Sequence, residues 1–496
     1  MKKRIEAVIK DEKKTCIALV VVAAIYLLFF SPYTTLFNDY FGYDTALWHV
    51  IGRGITQGKV PYRDLFEHKG PLLFFLYSFG WLFQHQRIAM YLLQLAFFSV
   101  TIIMLYKIAR LYLRDWKALG AVFIFLFMFC GTIGEGAMSE EWSLPFILVV
   151  MYFALKYVRE SEAEHSPVLG GIYGFCFGMV AMIRLNNAAP IAGIILGFVI
   201  VMIRRRDYKT IWKNALAFLL GTMIPIIPIA IWYWSKNALD YLWWGAFLFN
   251  FKYAVDAWTI RTVWEKIRPW LAVLPITILW IQIGIKWKRE KDDVRKQEEK
   301  ILLLTESVVT ATILMLGYSY MHYFTILLPC LFISVIFMLQ KWESKKSIWL
   351  LGVGLLITVA PFTWQAIRNA GKSILFNGFD LYGNLEDEIR DFMAQIPEDE
   401  RDSVWGNGTA FSRVYCVSGI TPCFPYMDNG PVHYKMEPAM QTQTDRMLAE
   451  NPPKWIVVAT VGEPQIEGLE EAIDEKYQLF DTLDGEKHLE LYRLQQ

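Results

Sequence analysis

The sequence predicts an all-α polytopic membrane bundle of about eleven transmembrane helices with a small C-terminal extracytoplasmic α/β domain. Three observations predict it. Hydrophobic residues make up 55% of 496 and the mean hydropathy is +0.31, above the roughly 45–50% apolar content of soluble domains. These residues gather in uncharged runs such as VVVAAIYLLFF, AVFIFLFMFC and IAGIILGFVIVMI, which read as bilayer spans. Beyond residue 365 the long runs stop, and short apolar stretches alternate with helical periods.

The runs place spans at roughly 15–37, 88–108, 117–134, 141–158, 167–183, 188–203, 212–234, 266–285, 301–318, 322–340 and 347–364. The opening MKKRIEAVIKDEKK is charged, and about twenty mostly apolar residues follow it without an A-x-A site. It reads as a cytoplasmic segment, 1–14, before an uncleaved span. The run PLLFFLYSFGWLFQ from Pro71 is short for a crossing. Left in the outer interface, it makes every second loop basic: the N-terminus, Lys107 to Lys117, Lys156 and Arg159, Arg204 to Lys213, KWKREKDDVRKQEEK and KWESKK. Counted as a span, it scatters the basic loops over both sides, so the positive-inside rule keeps it on the surface. The expected organisation is a membrane domain over 15–364, including an outer loop at 38–87, and an outer domain over 365–496.

A net charge of +1 gives no field for nucleic acid. Trp and Tyr bunch near span ends, where rings sit at the headgroup level. Cys16, Cys130, Cys176 and Cys330 fall in apolar runs and read as small hydrophobes. Cys416 and Cys423 follow the last span; outside the cell they could pair or stay free.

In the first outer loop, FGYDTALWHVIGRGITQG has apolar residues at three- and four-residue spacing and predicts a short amphipathic surface helix. KVPYRDLFEHKGP then reads as a turn. In the tail, LEDEIRDFMAQI and AMQTQTDRMLAE read as helices, and DSVWG, KWIVVA, YQLFDTL and HLELYRL as strands, the last two divided by a turn at Asp484-Gly485. The tail carries no GxGxxG, Walker loop or HExxH; it reads as packing over a site or holding an acceptor.

This topology puts Asp39, Asp44, Asp64, Glu67, Lys69, Glu140, Glu141, Arg184 and His322 at one membrane face, as a site hypothesis. No nucleotide reaches that face, so a sugar donor there is membrane-linked. Attack on an anomeric carbon needs a base for the acceptor hydroxyl and cations for the departing phosphate. Each residue also has a plainer reading: Asp44 a solvated acid, Glu140 or Glu141 a helix cap, Lys69 a snorkelling lysine, and His322 an interface anchor. Arg184 lies beside possible caps in Asn186 and Asn187, and Asp64 and Glu67 could pair with Arg63 and Lys69. Glu306 lies inside a span and reads as a structural partner. Ligand spacing for a metal is lacking, and no cofactor is expected.

At these residues the chain resembles bacterial GT-C glycosyltransferases of the family 39 type, relatives of the protein O-mannosyltransferases and aminoarabinose transferases. FGYDTALWHVIGRGITQGKVPYRDLFEHKGPLLFFL resembles their first outer loop: an acid shortly after span one, a small-residue surface helix, then a G-x-x-P-Y-x-D-x-x-x-x-K-x-P-L run. MSEEWSLPF resembles the second outer loop, IRLNNAAP and YMHYFTILLP two further outer span ends, and VWGNGTAFSRVYCVSGITP the outer domain of Gram-positive members. The likeness covers most of 15–340 in order. It implies a polyprenyl-phosphate sugar donor and inversion by direct displacement onto an extracytoplasmic acceptor: a cell-wall polymer, a glycolipid or a protein. It makes Asp44 the general base, with Asp39 in reserve, and Glu141 the residue orienting the acceptor or Asp44. Lys69, Arg184 and His322 would neutralise the phosphate, with Asp64 and Glu67 nearby. Many members have Asp-Glu where this chain has Asp44-Thr45.

Three other functions compete. A lipid-linked sugar flippase or transporter would place charges at the midplane and show inverted repeats; here the carboxylates sit at one face, although MIPIIPIA could break a span. A polysaccharide polymerase or ligase would use a large central outer loop, and 235–265 is modest and aromatic. A scaffold has no need of gathered charges.

Overall fold

With no water in a bilayer core, a chain of long apolar runs satisfies its backbone by folding into helices. The computed structural model describes residues 12–34, 42–160, 164–260, 262–316, 320–340, 345–371, 383–406, 411–427, 431–459, 466, 468–484 and 488–495. The helices are α1 (Glu12–Phe30), α2 (Tyr43–Thr56), α3 (Pro71–Gly80), α4 (Gln86–Arg110), α5 (Asp115–Thr132), α6 (Ser139–Glu160) and α7 (Pro167–Ile183). Then come α8 (Ala189–Arg204), α9 (Tyr208–Ser235), α10 (Leu239–Trp243), α11 (Phe249–Ile260), α12 (Val263–Val273), α13 (Ile276–Arg289) and α14 (Val294–Leu316). The remainder are α15 (Leu328–Gln340), α16 (Lys345–Gly371), α17 (Gly383–Ala394), α18 (Phe411–Ser418), α19 (Pro431–Met436), α20 (Pro438–Glu450) and α21 (Leu469–Lys476).

Helices stand at all the apolar runs, but by length and composition six among the described residues can cross a membrane, or seven if the pair Val263–Leu271 and Ile276–Arg289, bent by 41°, is one span. The expectation of eleven exceeds this for physical reasons. The apolar part of α5 (Trp116–Thr132) and the whole of α7 fall in the shorter class of 10–17 residues, and α14 opens with the charged turns VRKQEEK. The disputed run from Pro71 forms only the ten-residue α3. At 1.5 Å per residue that is about 15 Å, half a hydrocarbon core.

The chain divides into two compact units. The first comprises Met1–Asn38, Tyr91–Ile229 and Ile260–Gly378. Its core is aliphatic and aromatic, with Phe98, Phe125, Phe129, Leu148 and Phe332 among its buried members. Helices approach closely where side chains are smallest. Gly170, Gly174 and Gly178 recur every fourth residue on α7, and an added Cβ at Gly174 would meet the Phe218 carbonyl oxygen at 1.9 Å. Gly193 on α8 does the same for α14, where a Cβ would meet Glu306 Cα at 2.5 Å. Glu306 is buried, and the Cys330 thiol donates to its Oε1 at 3.1 Å. At the end carrying the α8–α9 turn, Arg205 Nε donates to Glu298 at 2.6 Å. Arg159 pairs with Glu299 at 2.6 Å and lies 4.1 Å over the Tyr112 ring.

The second unit comprises Asp39–Met90, Ala230–Thr259 and Phe379–Gln496. In it α2 crosses α3 at Gly52, where a Cβ would meet the Tyr77 and Ser78 backbone at 2.7 Å. Tyr62, at φ 68°, donates its hydroxyl to the Lys69 carbonyl at 2.7 Å. Its ring lies under Gly245, whose missing Cβ would strike it at 2.3 Å. Four strands, β1 (Val404–Trp405), β2 (Trp455–Ala459), β3 (Tyr477–Leu483) and β4 (Leu489–Leu494), form a sheet of order β1-β2-β4-β3. The β1–β2 pair is parallel and the others antiparallel. Trp405, Ile456, Val458, Met440, Leu448 and Ile473 pack around it. The expected turn at Asp484-Gly485 extends beyond the described residues. Cys416 and Cys423 are free thiols.

One expectation changes here. The spacing predicts a short amphipathic surface helix at α2, yet Thr45 to Gly54 are all buried. The period identifies an apolar face; it says nothing of what covers the other, and α3 and the tail helix α18 pack on it.

His49 illustrates the cost of that burial. It is fully buried on α2, edge-on to Tyr77 at 4.7 Å, with its Nδ1 beside the Gln86 amide nitrogen at 2.9 Å. Burial, with the positive charges of Arg53 and Arg87 adding to it, holds its pKa down at about 3. Between pH 6.5 and about 3 the unfolded chain binds a proton here that the folded chain does not, so stability falls as pH drops through that window. Thermal unfolding at pH 7 and at pH 4.5 checks this: the wild type should lose several degrees and His49→Gln fewer, whereas equal losses would remove His49 as the cause.

Candidate functional site

In the first unit, the ends of α1, α5 and α7 and the start of α6 meet. The α5–α6 turn is tight because Gly134 (φ 64°), Gly136 (φ 78°) and Ala137 (φ 54°) all take left-handed backbone conformations. Trp142 then closes it, its indole N–H donating to the Ala137 carbonyl at 2.7 Å.

That turn carries Glu140 and Glu141 into the first turn of α6, where acids oppose the positive end of the helix dipole. Glu141 is buried. Gln94 of α4 donates to its Oε1 at 2.7 Å, and the Ala137 backbone N–H to its Oε2 at 2.8 Å. Ser31, just past α1, fixes Gln94 by donating to its amide oxygen at 2.6 Å. Among the described residues no cation pairs with Glu141.

Glu140 faces the other way. It forms an ion pair with Arg184 at the end of α7 and accepts from the Ser139 hydroxyl at 3.0 Å. The Arg184 guanidinium lies 3.9 Å over the Tyr323 ring. His322 meets Tyr323 edge-on at 4.5 Å and packs on Gly134, where an added Cβ would come within 3.2 Å of its own. Asn187 is no helix cap: its amide donates to Ser143 of α6 at 3.1 Å. The structure therefore brings Glu141, Arg184 and His322 together with Glu140 at one end of this unit.

The second unit holds the other predicted residues. Asp44 stands half-buried in the first turn of α2; among the described residues its carboxylate has no hydrogen-bond or ion-pair partner. Asp39 lies outside the described residues. Asp64 takes two bonds at 2.9 Å from Arg63 and one at 2.7 Å from the Val60 backbone N–H. These outweigh its burial and hold its pKa below the usual carboxylate range. Lys69 is buried and donates to Glu67 at 3.0 Å; Glu67 also lies 3.6 Å from His68 Nδ1. Asp64 and Glu67 thus follow their plainer reading and pair with Arg63 and Lys69.

Sequence reasoning missed Gln94, Ser31 and Tyr323. A lone glutamine inside an otherwise apolar span was the available signal for the first; Tyr323 directly follows His322 in the sequence. Among the described residues no group of three or more His, Cys, Asp or Glu side chains could hold a metal.

Residues 68–234 match the family described as dolichyl-phosphate-mannose-protein mannosyltransferase. No curated protein matches the chain in sequence. In structure it is similar to ArnT from Cupriavidus metallidurans bound to undecaprenyl phosphate, with a TM-score of 0.56 and 11% identity over 96% of this chain and 97% of that one. It is also similar to the Archaeoglobus fulgidus oligosaccharyltransferase. The form with Zn and sulfate gives a TM-score of 0.50 and 11% identity over 89% and 68% of the two chains; the apo form gives 0.52 and 12% over 90% and 69%. The resemblance read in the sequence agrees with these likenesses: the fold, built on multiple apolar helices, is similar to those of ArnT and the oligosaccharyltransferase.

The Glu140–Arg184 pair makes a stability test. Glu140 is almost fully buried and Arg184 mostly so, and removing one partner of a buried pair costs about 3–5 kcal/mol because the other is stranded. Glu140→Ala should lower the thermal midpoint in detergent more than Glu140→Ala/Arg184→Ala does. Additive losses in the double variant would show that the two do not couple.

Proposed function

We propose that the protein is a membrane glycosyltransferase that takes a sugar from a polyprenyl-phosphate donor and passes it, with inversion, to an extracytoplasmic acceptor. The observation that carries this reading is the likeness to ArnT over nearly the whole of both chains, in a structure that holds undecaprenyl phosphate. The matched family is named for a dolichyl phosphate, so two independent likenesses share a polyprenyl-phosphate chemistry while differing in name and fold coverage.

In this reading the Asp44 carboxylate accepts the proton of the acceptor hydroxyl. The freed oxygen attacks the anomeric carbon, and the bond from that carbon to the phosphate oxygen breaks with its electron pair leaving on the phosphate. Asp44 suits the task in being half-buried and without a competing side-chain partner among the described residues. Lys69, in the same unit as Asp44, is assigned to the charge that develops on the leaving phosphate, and the resemblance read in the sequence gives Arg184 and His322 the same role. Glu140 and Glu67 hold Arg184 and Lys69 in fixed geometry, which spares the reorganisation that a mobile cation would need. Glu141, with both oxygens hydrogen-bonded, is suited to orienting rather than to proton transfer. The N-terminus is cytoplasmic and the C-terminal segment extracytoplasmic, as the distribution of Lys and Arg supports.

Two experiments test this. Protein in nanodiscs is offered a panel of radiolabelled polyprenyl-phosphate sugars together with membrane extracts as acceptor source. The wild type should consume one donor, and the near-isosteric Asp44→Asn should reduce consumption by about a hundredfold or more while remaining folded; full activity in that variant would end the base assignment. For orientation, with the natural cysteines replaced, a cysteine at Asp292 should escape an impermeant thiol reagent in intact cells and one at Asp484 should react. The reverse pattern would overturn the topology.

A further inference from the structure

We infer that Arg53 is a positioning residue for Asp44, acting through tail residues 412–425, which track the first outer loop contact by contact. The inference rests on the assignment of Asp44 as base.

The contacts advance in step along both segments of the second unit. The Ser412 hydroxyl donates to the Tyr43 carbonyl at 3.1 Å. Arg53 donates from Nε to Thr421 Oγ1 at 3.0 Å, and from Nη2 to the carbonyls of Tyr415 at 2.9 Å and Ile420. Lys59 Nζ donates to the Pro422 carbonyl at 3.3 Å, and the Phe66 backbone N–H to the Pro425 carbonyl at 3.0 Å. The loop runs 43, 53, 59, 66 as the tail runs 412, 415–421, 422, 425. Pairing in this register makes the tail a template for the loop.

Arg53 is the strongest of these bonds and the least expected. It is 4% exposed, faces the Trp81 ring at 5.2 Å, and among the described residues pairs with no carboxylate. Its acceptors are carbonyls and one hydroxyl, with the Tyr415 carbonyl near the C-terminal, negative end of α18. A planar fork of five donors can reach three diverging acceptors; an ammonium on a flexible stem cannot hold all three in one geometry.

The link to Asp44 is α2 itself. Tyr43 and Arg53 lie ten residues apart on one helix, about 15 Å of rigid rise, and the tail grips both. With no side-chain partner among the described residues, Asp44 is placed only by the helix that carries it. Displacement of a reacting group by about 1 Å can cost about a hundredfold in rate.

The test uses the full chain in nanodiscs, with Arg53→Met, Arg53→Lys and Ser412→Ala. Each is read by donor kcat and KM and by hydrogen–deuterium exchange of the 411–421 backbone. Arg53→Met should lower kcat by about tenfold or more, leave donor KM within about twofold, and speed exchange in 411–421. Arg53→Lys should fall between it and the wild type on both readouts. If Arg53→Met does not fold, the graded responses of Arg53→Lys and Ser412→Ala decide the matter. Wild-type kcat, or a lowered kcat with 411–421 still protected, overturns the inference alone. A wild type that consumes no polyprenyl-phosphate sugar overturns the glycosyltransferase reading and this inference with it.

Discussion

A carboxylate can stay buried at the end of a helical bundle only if donors reach both of its oxygens, and Glu141 imposes that requirement on the first unit. Gln94 meets one oxygen, the Ala137 N–H meets the other, and Ser31 keeps Gln94 from turning away. The consequences spread outward. α1 must end at Ser31, α4 must present residue 94 inward, and the α5–α6 turn must fold through three left-handed residues to aim a single backbone N–H. Once that turn is set, Glu140 points to Arg184 and Gly134 leaves room for His322. The charged cluster is thus a by-product of satisfying one acid.

The second unit solves a different problem. Its loop is rich in turn residues between α2 and α3, where the chain has few backbone partners of its own. It gains order from segments far along the chain: Gly245 closes over Tyr62, and residues 412–425 lie along 43–66. The tail carries no recognisable chemical motif, and in this arrangement it needs none. Its residues 412–425 supply hydrogen-bond partners along the loop, and preorganised electrostatics depend on groups held in this way.

How much of this was legible in the sequence depended on the range of the interaction. Uncharged runs announce helices because the membrane enforces that answer locally, and adjacent residues such as Arg63 and Asp64 announce their own pairing. The acids that open α6 were also legible, since an acid in a first helical turn has a local reason to be there. What failed to show was long-range. Nothing near Arg53 says that its acceptors lie more than 360 residues away, and nothing in the period of α2 says that both its faces are covered. Hydropathy does not set the number of crossings, for a related reason: it marks an apolar run without showing whether it rises straight through a bilayer, bends as α12 and α13 do, or begins with charged turns as α14 does.

The ion pairs at the other end of the first unit have a consequence in time. Glu298 follows Arg205 by 93 residues, and Glu299 follows Arg159 by 140. A growing chain therefore exposes each guanidinium well before its partner has been made. Until then these arginines have no carboxylate to pair with in this arrangement, and unneutralised Arg of this kind biases a loop toward the cytoplasm. When α14 is finally synthesised, the same groups become bolts between helices. In the orientation proposed above, one side chain would serve first as an address and later as a fastener, and the order of the sequence would keep the two jobs from interfering.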